Sequence, residues 1–306
     1  MTLLIYKSRQ EPSLLTVLKN LKSRFTLSKN DEQNYYNLKK GYEGELQFDV
    51  LLQAITCDCL VLNDLLLKVN NQTFQIDSLI ILKNRIHLLE IKNYSGDFYF
   101  DSNRFFQKDR FEISNPLIQL QRTESLLRQL LTKYNFSIPV QSSVIFINPE
   151  FTLYQAPLNM PFIFPTQLNQ FIKNLNLEQL ELNEQHKNLA EKLKSLHISK
   201  HPLQPFPTYN YYHIQKGIKC LACESLSVRT TNHGLEVVCE HCGKKEVLES
   251  AILRTIREFQ FLFPEEKITT TKMYEWLNIE ISQKTIGRIL KKNFKKIGTN
   301  RWIYYE

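Results

Sequence analysis

Two carboxylates and an ammonium group fall close together in the pattern around residues 75–93. Asp77 sits in the run 75–82, with Ile76, Leu79, Ile80, Ile81 and Leu82 around it; Glu90 and Lys92 sit in the run 86–93. Between the runs, Lys83, Asn84 and Arg85 form a short polar turn, which predicts an antiparallel hairpin. Folding the runs about that turn brings Asp77 within a residue or two of Glu90. The period of two puts Glu90 and Lys92 on one face. Carboxylates beside an apolar sheet are desolvated and repel each other. A divalent cation is the natural compensator: hard oxygen donors from a few side chains, with other positions left to water and phosphate, describe a Mg²⁺ or Mn²⁺ site. The neighbouring lysine could orient or deprotonate an attacking water, or neutralise a scissile phosphate. A lone E-x-K triplet is more often a solvated ion pair, so the neighbours of this one matter.

A third carboxylate has the same inward address. Gly41, Tyr42, Glu43, Gly44 and Glu45 open a helical pattern that runs on through Leu46, Phe48, Val50 and Leu51. Glu45 shares a face with Phe48 and Leu52, so it points toward the sheet. G-Y-E-G-E at 41–45, Asn63-Asp64, Q-I-D at 75–77, E-I-K-N-Y-S-G at 90–96, and Asn115-Pro116 followed by Gln119 together resemble the NERD (nuclease-related) family of the PD-(D/E)xK nuclease superfamily. The resemblance covers residues 35–150. It implies an α/β/α core with a central mixed sheet, catalytic residues Glu45, Asp77, Glu90 and Lys92, and the three carboxylates as Mg²⁺ or Mn²⁺ ligands. Gln75 and Gln119 are supporting candidates.

The order helix, hairpin, strand, helix, strand reads as an α/β sandwich. Asn63-Asp64 is expected to be a turn, Asn115-Pro116 a helix start, and Val144, Ile145, Phe146 and Ile147 a buried strand. Aromatics at 98–106 beside Arg104 could stack on bases, although packing on the core accounts for them better. The expected organisation is a helical lead-in at 1–40, the nuclease-like domain at 41–200, a proline-rich linker at 201–217, a zinc module at 218–248 and a helical module at 249–306.

Cys220-x-x-Cys223 and Cys239-x-x-Cys242 enclose fifteen residues, the spacing of a zinc ribbon whose four thiolates close one tetrahedral, structural Zn²⁺ site. The last 58 or so residues read as three helices and a basic hairpin, resembling a winged helix-turn-helix. From Lys284 to Arg301 there are seven basic residues (Lys284, Arg288, Lys291, Lys292, Lys295, Lys296 and Arg301) and no acidic one. They are candidates for phosphate contact. The formal charge of +8 also leans toward a polyanionic partner, DNA rather than RNA on the strength of the appended reader. A helicase or other protein partner is compatible with such a fusion. No apolar run reaches the ~20 residues of a membrane-spanning helix, and a soluble, cytoplasmic protein without a membrane partner is expected. The sequence thus points to a metal-dependent DNA nuclease; the alternative is a DNA-binding regulator that keeps the nuclease fold as a scaffold.

Overall fold

The computed structural model describes residues 3–109, 111–178, 180–199, 205–231, 234–299 and 302–306. In chain order the first elements are β1 (Leu3–Lys7), α1 (Ser13–Lys22), α2 (Lys29–Leu52), β2 (Cys59–Val69), β3 (Gln72–Ile81), β4 (Ile86–Lys92), β5 (Gly96–Asp101), β6 (Arg104–Gln107) and β7 (Glu112–Ile113). There follow α3 (Pro116–Lys133), β8 (Val140–Phe146), β9 (Phe151–Tyr154), β10 (Phe162–Ile163), α4 (Leu168–Asn176) and α5 (Glu184–Ser195). The last are β11 (Val228–Thr230), β12 (Glu236–Cys239), β13 (Lys245–Val247), α6 (Leu248–Leu262), α7 (Thr270–Leu277), α8 (Gln283–Asn293), β14 (Lys296–Ile297) and β15 (Tyr304–Tyr305). Two compact units result: residues 1–12 with 36–204, and residues 13–35 with 205–306.

The first unit is a mixed α/β sandwich. Its central sheet has the order β1-β2-β3-β4-β8-β10, parallel at β1/β2, β4/β8 and β8/β10 and antiparallel at β2/β3 and β3/β4. One face packs Leu117, Leu120 and Leu127 of α3 and Leu189 and Leu193 of α5. The other packs Phe48 and Leu52 of α2 and Leu168, Ile172 and Leu175 of α4. Apolar side chains on both faces explain why the strands read as continuous hydrophobic runs.

Residues 63–64 are not a turn. Strand β2 passes through them, although Asp64 has a left-handed φ of 53°, and pairing to β3 resumes at Leu65↔Ile76. On β2 the inward positions toward α3 change from Leu60 and Leu62 to Leu65 and Leu67; on β3 they change from Phe74 and Ile76 to Leu79 and Ile81. Both strands therefore reset their alternation at the level of Asp64 and Asp77. A polar pair of turn formers was misread locally because ladder bonds to β3 hold the strand through them.

The aromatics at 98–106 lie mainly inside. Phe98, Phe100 and Phe105 are buried on a second sheet of order β7-β6-β5-β9, stacking with Tyr94, Phe146 and Phe151. His87 of β4 is also buried, and its Nδ1 has no hydrogen-bond partner. Burial, with help from Arg85, lowers its pKa to about 4. Such a histidine is neutral in the fold but charges in the unfolded chain, so stability is full above pH ~6.5 and falls as pH drops toward 4, by about 3 kcal/mol. His87→Leu is expected to remove that acid-side loss from the thermal unfolding of this unit. An unchanged pH slope in the variant would contradict it.

In the second unit, α1 packs with α6–α8: Val17 and Leu21 share a core with Ile252, Ile256, Phe259, Trp276 and Leu290. Residues 209–218 belong to this core too, since Tyr211, Ile214 and Ile218 are buried in it, so the expected linker is shorter than its proline content suggested. Its residues 201–204 lie outside the described residues. Arg24 is buried, forks onto both oxygens of Glu258 (2.8 and 3.0 Å), donates to the carbonyls of Gln215 and Gly217, and lies 4.4 Å over the Trp276 ring. Arg24→Ala leaves a buried carboxylate and two carbonyls unpaired. A loss of about 3–5 kcal/mol is expected in this unit, followed by the fluorescence of Trp276; a shift below about 1 kcal/mol would show the pair to be dispensable.

Candidate functional site

The site forms where β3 and β4 stop pairing. Their main-chain ladder ends at Ser78↔Leu89, and Asp77 lies one step beyond, level with Glu90. There the Asp77 Oδ2 accepts the Ile91 N–H at 2.8 Å, so a side-chain carboxylate takes the place of a strand carbonyl. Asp77 is 8 % exposed and Glu90 1 %. Burial raises the pKa of Asp77; burial together with the Asp77 charge raises that of Glu90 to about 7.

Lys92 lies on the same face as Glu90 and donates to its Oε1 at 2.6 Å and to Gln119 Oε1 at 3.0 Å. Asn115 caps α3 through the Leu117 N–H, with Pro116 in the first turn, and this start of the helix delivers Gln119 over the strand end. Burial alone would lower the pKa of Lys92, but the charges of Glu90 and Asp77 outweigh it and raise the pKa. Lys92 is therefore an ammonium with a third N–H that has no acceptor among the described residues.

Glu45 reaches the site from α2 and is held by a cation that sequence reading missed. Arg9 Nη1 donates to Glu45 Oε2 at 2.8 Å, Nε and Nη2 donate to Asp49 at 3.0 and 3.1 Å, and Nη2 also donates to the Asp77 main-chain oxygen at 2.9 Å. Burial and the Asp77 charge raise the Glu45 pKa to about 8, against the opposing pull of Arg9. Asp49 was also missed, although its place one turn after Glu45 marks it as a second inward acid. It accepts from Asn63, which in turn accepts from Ser78. Gln75 makes no hydrogen bond to Glu45, Asp77 or Glu90 among the described residues and donates to Asp64 Oδ1 at 3.1 Å.

The residues thus fall into two groups. Glu90, Lys92 and Gln119 meet on one side and Arg9, Glu45 and Asp49 on the other, with Asp77 touching both through its charge and its carbonyl. Glu45, Asp77 and Glu90 each give one oxygen to the protein and keep the other without a hydrogen bond among the described residues. That donor chemistry suits a hard cation. Close approach of α2 to the strand end depends on Gly44: a Cβ there would lie 2.4 Å from the Asn93 Cβ and 3.1 Å from Ile147. Asn93 in turn donates to the Lys40 carbonyl at 2.7 Å.

The second unit carries a cluster of four cysteines arranged to hold a metal ion. The four Sγ atoms of Cys220, Cys223, Cys239 and Cys242 lie within 4.8 Å of one another, with 3.6 Å between Cys220 and Cys242 and between Cys223 and Cys239. Four thiolates at about 2.3 Å from one Zn²⁺ would be separated by nearly this much. The two knuckles are built alike. Cys220 N–H donates to the Ser225 carbonyl and Glu224 N–H to the Cys220 carbonyl; Cys239 N–H donates to Lys244 and Gly243 N–H to Cys239. The equivalent residues Glu224 and Gly243 both have positive φ, 59° and 73°. A ribbon of order β11-β12-β13 carries the second knuckle. Among the described residues the cysteines are the single such cluster of three or more metal-binding side chains.

Helices α6–α8 are followed by the β14/β15 hairpin, with Ile268 bridging Tyr305. Lys284, Arg288, Lys291, Lys295 and Lys296 are exposed, while Ile286 and Leu290 of α8 are buried. Lys292 is turned onto Glu249 of α6 at 2.9 Å. Arg301 lies outside the described residues. No helix among the described residues is long and apolar enough to cross a membrane.

Comparison with curated proteins and with solved structures gives no match. The family model described as the nuclease-related domain (NERD) does match, over residues 40–147, a segment that includes Glu45, Asp77, Glu90, Lys92 and Gln119.

Proposed function

We propose that the first unit is a divalent-metal-dependent nuclease that hydrolyses phosphodiester bonds of DNA. One arrangement supports the reading best: inside a nuclease-related domain, two buried carboxylates stand level on neighbouring strands with Lys92 2.6 Å from one of them. Asp77 and Glu90 would hold Mg²⁺ or Mn²⁺, and Glu45 would join them or position water. When bound, the cation would polarise the scissile phosphate and lower the pKa of a bound water.

Lys92 acts here as a donor of positive charge. Two of its N–H groups are fixed by Glu90 and Gln119, which aims the third at whatever enters the site. An ammonium held in that way stabilises charge developing on phosphate oxygens and costs no reorganisation as the reaction proceeds. Gln119 would set its direction; Gln75 would act at one remove, through its hydrogen bond to Asp64.

The second unit would deliver the substrate. A Zn²⁺ held by the four cysteines is structural, since four thiolates leave no open position. In α8 the exposed Lys284, Arg288 and Lys291 lie along one side, and with Lys295 and Lys296 of the hairpin they would meet phosphates as a winged helix does. Lys292, already paired with Glu249, contributes least.

Labelled DNA and RNA strands of one sequence, incubated with Mg²⁺ or Mn²⁺, test the reading. Metal-dependent loss of DNA is the expected result. Binding that persists without cleavage in every divalent metal would instead favour the scaffold alternative.

A further inference from the structure

Arg9 lies outside the segment matched by the family model, 36 positions before Glu45, yet it reaches into the candidate site. Its side chain is only 2 % exposed. One guanidinium spans four acceptors on two elements: Glu45 Oε2 and both Asp49 oxygens on α2, and the main-chain oxygen of Asp77 on β3. Glu45 and Asp49 are one helical turn apart, so the fork fixes the helix face as well as a single carboxylate. The Asp77 carbonyl it donates to lies one step past the end of the β3/β4 pairing. Glu45 is thereby anchored through one oxygen, which sets the direction of the other.

We infer that Arg9 is a positioning residue of the metal centre, holding Glu45 in register with Asp77. The inference rests on the nuclease reading given above. It makes the N-terminal segment, and not residues 40–147 alone, part of the working site. A lysine keeps the charge but is a point donor on a flexible stem and cannot span a planar fork of this kind. Loss of a group that orients a metal ligand typically costs about 10–100-fold in affinity or activity.

The test uses the full chain with Mn²⁺ as the probe, measuring Mn²⁺ affinity by calorimetry together with kcat and KM on plasmid DNA. Arg9→Lys is expected to weaken Mn²⁺ binding and lower kcat, each by about 10-fold or more, with KM for DNA unchanged. A structural role alone would not give that split. In a Glu45→Gln background, Arg9→Lys should have no further effect, because the residue through which it acts is gone. Equal losses in both backgrounds, or wild-type Mn²⁺ affinity and kcat in Arg9→Lys, would overturn the inference. Should Arg9→Lys fail to fold, Asp49→Asn carries the same cycle: it removes one carboxylate from the fork at a partly exposed helix position. Wild-type protein that binds no Mn²⁺ would refute the metal site and the clamp together, whereas Mn²⁺ binding with an unaltered variant refutes the clamp alone.

Discussion

Lys92→Ala is expected to reduce cleavage on the order of 10²–10³-fold with the protein still folded. Among the described residues its ammonium is the one cation bonded to Glu90; it holds Glu90 at 2.6 Å and is itself held by Gln119 at 3.0 Å. Removing it takes away the donor that meets the phosphate, and leaves Glu90 buried without its partner. Glu90 then becomes harder still to ionise, so a metal ligand is weakened along with the electrostatic contact. Stability should change far less than activity, because the carboxylate can take up a proton. Gln119→Ala, which removes the aim but keeps the charge, should fall between the variant and wild type. Single-turnover rates at saturating metal check both; activity in Lys92→Ala within a factor of about three of wild type would remove Lys92 from the chemistry.

Stripping zinc from the four cysteines is expected to cost the second unit about 10 kcal/mol of apparent folding free energy. The ribbon strands are short, three or four residues each, and supply little core of their own. Val237 of β12 and Ile218, just before the first knuckle, nevertheless lie in the core with Leu248, Ala251 and Ile252. Loss of the metal therefore frees the knuckles and also uncovers the start of α6. A strong chelator should unfold residues 218–248 and lower the melting temperature of α6–α8, and Cys239→Ser should do the same without a chelator. Cobalt added to the stripped protein should restore the fold with a tetrahedral thiolate spectrum. A melting curve for this unit that is indifferent to both treatments would contradict a folding role for the cluster.

The placement of the candidate residues was legible where it is local. The alternation of two apolar runs about Lys83, Asn84 and Arg85 placed Asp77 beside Glu90, because a hairpin register follows from its turn. The cysteine spacing placed four sulfurs in one cluster, because tetrahedral thiolate geometry restricts the spacing. Asn63 and Asp64 were misread because their turn propensity is a local signal, and bonds from neighbouring strands override it. Arg9 was invisible for a related reason. Nothing near it in sequence requires a guanidinium; the demand comes from Glu45, Asp49 and the Asp77 carbonyl, which only the fold assembles. The proline content of 201–217 concealed Tyr211 and Ile214, whose apolar bodies belong to the second core.

Supercoiled plasmid incubated with Mg²⁺, comparing wild type with Glu90→Ala, tests the central claim most directly. Cleavage by wild type that is abolished by EDTA and absent in Glu90→Ala is the predicted result, since Glu90 is both a proposed metal ligand and the partner of Lys92. Cleavage that survives Glu90→Ala would place the chemistry elsewhere in the chain and contradict the account.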